Sequence, residues 1–430
     1  MKRTIIGIFI TGFVLSLMFR AAVVPNANNP LSPTVSLKDI VLVKYYSYKT
    51  EQCLTKQDGI ALFNCVNQVM REVSSKFGAR IALDIIEPVS QKHPTLQGWG
   101  HDLSHTIGDN ALFAGTGMRS GRAIKDEALL IAQIGKTIVD CDGWGSFGCY
   151  HGVIEIGMSH IAPADRARVV RKACLENPLV TSKLYYVNQC MHWFGHGMAV
   201  FTDQTLVQTL AMCEGVSSNF GDDPVQLCLS GVFHAGAMPG TTDLTMLENV
   251  RRLYDPEDVY FPCEEIDERF RGHCFGHVVG RSHTGDVAVM MHNCDNIPES
   301  DPTKKDMYVR GCYESIGNNL LINGQYTARG VADQCIKSST PRYYGYCFGG
   351  AARYAGLRDP LLNNPIPFEV CKLAPISAKP ACYALIGFAN YENYKSFDIL
   401  KSYCEQSEFG YYDACVHINP ATSGDKKGEE

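Results

Sequence analysis

Between about residue 46 and residue 420, apolar positions recur at the spacing of amphipathic helices, cut into short lengths by Gly, Pro and Asn. Segments such as Arg166 to Cys174 and Leu206 to Cys213 keep helical periodicity up to a cysteine and stop soon after it. A second cysteine then opens another apolar, Gly-containing segment, as at Cys149, Cys190, Cys228, Cys274, Cys312, Cys347 and Cys382. Counting on to Cys415, these second cysteines return every 33 to 46 residues, a period typical of helical-hairpin repeats. The predicted unit is helix A, a short loop, and helix B. The stretch from Gly98 to His101 has the character of a helix B start, with Trp99 in place of the thiol. The expected fold is all-α: disulfide-stapled helical hairpins stacked into a right-handed superhelix or a closed α/α ring.

Cysteine usage adds both the staple and the compartment. The 430-residue chain has 18 cysteines, and they fall into sequential pairs: Cys53/Cys65, Cys141/Cys149, Cys174/Cys190, Cys213/Cys228, Cys263/Cys274, Cys294/Cys312, Cys335/Cys347, Cys371/Cys382 and Cys404/Cys415. Disulfides of this density belong to an oxidising space. The N-terminus agrees, since Lys2 and Arg3 precede an apolar run from Thr4 to Phe19. At 1.5 Å per residue that run spans about 24 Å, short of a bilayer core of about 30 Å. Residues 1–24 are therefore read as a secretory signal or a signal anchor, and 25–45 as a polar linker. Residues 46–292 are repeats with a His-rich site, 293–420 continue the repeats, and 421–430 form a disordered tail. The expected location is extracytoplasmic (periplasmic, lumenal or secreted), with any membrane attachment confined to the N-terminal segment. A net charge of −6 and the lack of a Lys/Arg block exclude nucleic acid as the main partner.

Glycines crowd the B segments, as at Gly195, Gly197, Gly231, Gly236, Gly276 and Gly280. Each costs a helix about 0.5–1 kcal/mol relative to Ala. Close approach of neighbouring helices is the preferred compensation, and room for a ligand the alternative.

Thirteen histidines occur, and only His417 lies beyond His292. Aligning the B segments on the cysteine, or on Trp99, puts His101, His151, His192 and Ser230 at one repeat position. His105, Glu155, His196 and His234 follow four residues later, on the same helix face. Imidazoles with a carboxylate suit Zn, Fe, Cu, Ni or Mn. The proposed metal ligands are His101, His105, His151, Glu155, His192, His196 and His234, enough for one ion with outer histidines or for a dinuclear centre. Asp102 is expected to add a carboxylate or orient a ring, and Glu155 and Asp102 are the candidate catalytic residues. His273 and His277 are peripheral. A shared consensus would give the later repeats histidines too, yet they carry Glu314, Gly349 and Ala384.

The preferred function is an exported metal-dependent enzyme of oxidative chemistry with Fe or Cu, Zn being the other option. One alternative is a Zn-dependent hydrolase with Glu155 as base. Another is a noncatalytic protein- or peptide-binding scaffold whose histidines are satisfied in its core. A His/Glu centre on the inner face of helical repeats is similar in architecture to deoxyhypusine hydroxylase. This chain lacks that family's His-Glu dipeptides and adds disulfides and an export signal, so no substrate is carried over. With all cysteines fitting structural pairs, a thiolate nucleophile or thiolate metal site would require one pair to be reduced, and no covalent-haem, phosphate-loop, nucleophile-elbow or Rossmann motif stands in a fitting context. Trp99, Trp144 and Trp193 flank the His stripe, and Met191, Met198 and Met238 lie near it; core packing is the preferred reading for both sets. The Tyr- and Arg-bearing repeats after Cys294 either bind a protein or peptide partner or extend and cap the superhelix.

Overall fold

The computed structural model describes residues 37–417 apart from 57, 94–95, 97–98, 118–125, 143–145, 201–204, 218–222, 237–254, 256, 282–285, 323–326, 358–361, 363 and 395. The expected signal or anchor and the tail from 421 lie outside the described residues. The described residues contain helices and no strands. The expected polar linker over 25–45 is corrected at its end: a helix, Leu37–Cys53, begins inside it. Tyr46 and Thr50 are buried there, which makes this helix the outer member of the first hairpin.

Inner helices follow one another along the chain: α1 (Gly59–Phe77), α2 (Gly100–Thr116), α3 (Ser146–Ser159), α4 (Leu184–Val200), α5 (Asp223–Gly236), α6 (Glu268–Val278), α7 (Pro302–Ile322), α8 (Tyr344–Leu357), α9 (Lys379–Tyr394) and α10 (Tyr412–Val416). Each packs on the next, and the row curls until α9 also touches α4. Outer segments cover them. All nine expected cysteine pairs form, each tying an outer segment to its inner helix, and the expectation that the second cysteine opens that helix is corrected: every inner helix with a second cysteine begins several residues ahead of it, as Pro302–Ile322 does before Cys312. Asp58, Asp126, Asp286, Thr327 and Ser396 cap the helices that follow them through their side-chain oxygens, supplying acceptors for N–H groups that no helical turn can satisfy. The expectation that every first cysteine ends a helix fails at Cys263. That residue sits in a run of turns beside Pro262, which has no N–H to give a helix.

The residue after each second cysteine faces the outer layer. Tyr150, Met191, Leu229, Phe275, Tyr313, Phe348 and Tyr383 are all at most 1% exposed and form the core between the two rows. Residues one position further on are turned away from that core, about 100° per residue around the helix.

Glycine sets how closely the inner helices meet. A Cβ on Gly195 would overlap the Cys228 carbonyl, and one on Gly231 the His192 carbonyl, so α4 and α5 touch backbone to backbone. The same contact joins α2 and α3, where Gly148 receives the His101 carbonyl and Gly152 the His105 carbonyl. Gly197 and Gly276 leave only ordinary van der Waals distances. Replacing Gly231 with Ala is expected to destabilise the protein by about 1–3 kcal/mol through overpacking. Gly311→Ala, whose Cβ would meet nothing within 4 Å, is expected to stabilise it by about 0.5–1 kcal/mol. Denaturant midpoints of the two variants check the contrast; equal midpoints would remove the packing role.

Candidate metal centre

Backbone contact between α2 and α3 interleaves their side chains. His101, His105 and Asp109 project from successive turns of α2, and His151 and Glu155 from successive turns of α3. His105 Nε2 lies 2.5 Å from Glu155 Oε2, while Glu155 Oε1 meets His151 Nε2 directly. The other edge of His105 faces Asp109, Nδ1 to Oδ2 3.5 Å. Donor atoms of His105, His151 and Glu155 all lie within 4.8 Å of one another, the group among the described residues able to hold a metal ion.

Histidines of α4 and α5 extend the cluster. His196 Nδ1 is 2.8 Å from His151 Nε2 and 3.8 Å from Glu155 Oε1. An ion about 2.1 Å from tetrahedral donors would hold them about 3.4 Å apart, and the separations here fall on both sides of that value. His101 Nε2 reaches His151 Nδ1 at 3.3 Å. On the far side, His192 Nε2 and His234 Nδ1 are 2.9 Å apart. Trp193 stands between the two halves, its ring 4.8 Å from His151, 5.3 Å from His196 and 5.8 Å from His234.

All seven expected ligands therefore lie in one connected cluster across four adjacent helices, with His105, His151 and Glu155 at its tightest point. Asp102 is a correction. It is exposed, and the carboxylates that meet the imidazoles are Glu155 and Asp109; one residue from His101 is a rotation of about 100° away from the rings. Asp109 was legible as the residue four after His105. His277, expected at the periphery, stacks on His234 with ring centres 6.2 Å apart and pairs with Ser230 Oγ at 2.9 Å. His273 turns to Gln226 instead. Of the flanking residues, Trp144 and Met238 lie outside the described residues, while Met191, Met198 and Trp193 are buried.

Burial divides the site. His151, Glu155 and His196 are 3%, 2% and 1% exposed, whereas the His105 side chain is 27% exposed and forms the open side. Desolvation, then the charge of the neighbouring imidazoles, holds His151 and His196 well below the usual histidine range. They are neutral, the form that ligates. Burial also opposes a charge on His105, but Asp109 and Glu155 outweigh it and push the group up to about 10. Desolvation raises Asp109.

This is an all-α, disulfide-stapled repeat protein whose inner face carries a buried His/Glu group that could hold a metal ion. No family model matches the chain, no curated protein is significantly similar to it, and no solved structure matches it. Its disulfides point to an extracytoplasmic setting, and among the described residues no helix is long and apolar enough to cross a membrane.

Proposed function

We propose that this is an extracytoplasmic metal-dependent enzyme of oxidative chemistry, with Fe or Cu held by His105, His151 and Glu155. The observation that carries this reading is the Glu155 carboxylate, buried between imidazole nitrogens from two helices. His196 supplies a fourth donor. His101, His192 and His234 orient the centre or contribute to a second ion, and Glu155 holds or moves a proton when it is not a ligand. Nine disulfides already staple the fold, so a purely structural ion would add little. The exposed edge of His105 gives water or substrate a route in, the property that separates catalytic from closed structural sites.

Elemental analysis of protein purified from its export compartment without chelator tests the reading. One or two Fe or Cu per chain, absent from a His192→Ala/His196→Ala variant that keeps its helical circular dichroism, supports it. Stoichiometric Zn instead favours a hydrolase with Glu155 as base. Protein without metal, after preparation in its presence, favours the noncatalytic scaffold, in which the imidazoles serve as one another's hydrogen-bond partners.

The proton on His105 sets a pH dependence. In the metal-free protein it is held up to about pH 10, so a cation taking Nε2 must displace it, and acid favours the proton. Metal affinity is expected to fall about tenfold for each pH unit of acidification through the neutral range. Calorimetric titration with Zn²⁺ in two buffers of different ionisation heat should count about one proton released per ion, and His105→Gln should remove that proton.

A further inference from the structure

The register that places the histidines continues past them. Two and six residues after the second cysteine, α7 carries Glu314 and Asn318, α8 carries Gly349 and Arg353, and α9 carries Ala384 and Phe388. Glu314, Asn318, Arg353, Ala384 and Phe388 are half-buried, as are His101, His105, His192 and His234 at the same positions of α2, α4 and α5. They thus occupy the same partly open face of the inner row.

On that face Arg353 Nη1 forms an ion pair with Glu314 Oε1. Its guanidinium carbon lies 5.2 Å from the centre of the Phe388 ring. The pair is neither buried nor fully solvated, with side chains 33% and 22% exposed. One N–H of a five-donor fork is engaged by Glu314, while the Nε–H is shielded from solvent and has no partner. A guanidinium over an aromatic ring, with donors beyond the one that Glu314 engages, is suited to a planar anion, which can take two parallel N–H donors at once. Because the row curls until α9 touches α4, the helix bearing Phe388 packs on the helix bearing His192 and His196.

We infer that Arg353 is the anchor for an organic carboxylate whose apolar body lies along Phe388, with Glu314 holding the guanidinium in place and competing for it. As the substrate anchor of the metal centre, this assignment rests on the function proposed above. As a binding site it does not, since no ligand atom of the centre takes part.

The test uses chelated full-length protein and benzoate as the probe, followed by saturation-transfer NMR. Wild type is expected to bind benzoate in the millimolar range and not its neutral isostere benzamide. Arg353→Ala should weaken benzoate binding at least tenfold. Arg353→Lys should recover only part of it, because an ammonium keeps the charge without the fork. Glu314→Gln should strengthen it severalfold by freeing the guanidinium, a gain that misfolding could not produce. Inorganic phosphate displacing benzoate with equal affinity would overturn the carboxylate assignment, and benzoate binding unchanged in Arg353→Ala would overturn the site. A further titration with Cu²⁺-loaded protein separates the two claims. Broadening of bound benzoate resonances ties the anchor to the centre; sharp resonances with Cu²⁺ bound leave an anchor that does not serve it.

Discussion

Glu155→Gln is expected to lower metal affinity by more than 100-fold while leaving the helical content intact. Outer-shell partners of a metal are commonly worth 10- to 100-fold in affinity, and Glu155 is closer in than that, with both oxygens facing imidazole nitrogens. The amide keeps the shape but loses the charge that balances a cation at a site only 2% exposed. Glu155→Ala is a poorer choice, since removing one member of a buried charged pair costs about 3–5 kcal/mol and confuses unfolding with loss of a ligand. The same substitution should bring His105 down from about 10, because one of the two carboxylates supporting its proton is gone. Competition with a chromogenic chelator reads the affinity, and NMR titration of the imidazole reads the proton. Retention of metal within tenfold would remove Glu155 from the ligand set and shift the centre toward His151, His196 and their neighbours.

Removing the Cys174–Cys190 disulfide by double replacement with Ala is expected to cost about 3 kcal/mol and to empty the metal centre. The bridge spans 16 residues, and the chain-entropy account assigns a loop of that length about 3 kcal/mol. Its second cysteine lies in α4, which carries His192, Trp193 and His196 within the next two turns. Loss of the staple therefore frees the helix that closes one side of the cluster. The Cys404–Cys415 bridge spans 11 residues, for which the same account again gives about 3 kcal/mol. It staples α10, which packs on α9 and not on a helix that carries a proposed ligand, so its removal should lower stability equally without loss of metal. Urea midpoints and metal stoichiometry, measured side by side on the two double variants, separate the effects. Equal metal loss in both would mean that the array responds as one cooperative body. A nearest-neighbour stack of repeats predicts the opposite, because each unit leans mainly on the two beside it.

Much of the architecture is written in the spacing of residues. Helical periodicity ending at Cys174 and Cys213, and resuming after Cys190 and Cys228, specifies the hairpin, while the two-residue and six-residue offsets from the second cysteine specify one face of each inner helix. Side chains on a helix have a fixed angular order, so a repeat with a marker cysteine is enough to align His101, His151, His192 and their partners four residues on. The marker can even be replaced, as Trp99 shows where it precedes α2 and packs edge-on against Phe63 of α1. Loop chemistry is the place where this reasoning slips. Cys263 follows turns because a proline precedes it, and the helix from Leu37 extends into residues whose composition resembles a linker.

Angular order is a property of one helix, whereas a centre needs atoms from several helices at set heights. Those heights depend on where backbones touch: Gly148 and Gly152 seat α3 against the His101 and His105 carbonyls, and Gly195 and Gly231 seat α4 against α5. That seating brings His105, His151 and Glu155 within 4.8 Å of one another, turns Asp102 out to solvent, and recruits Asp109 and His277. It also decides the charge on each ring, since burial holds His151 neutral while two carboxylates keep His105 protonated. The all-α class, the nine staples and the face on which the histidines stand can be read from residue spacing, because all of them are local and periodic. Which of them meet, and the return of α9 to α4, depend instead on the translation and rotation between helices, set by contacts between residues far apart in the chain.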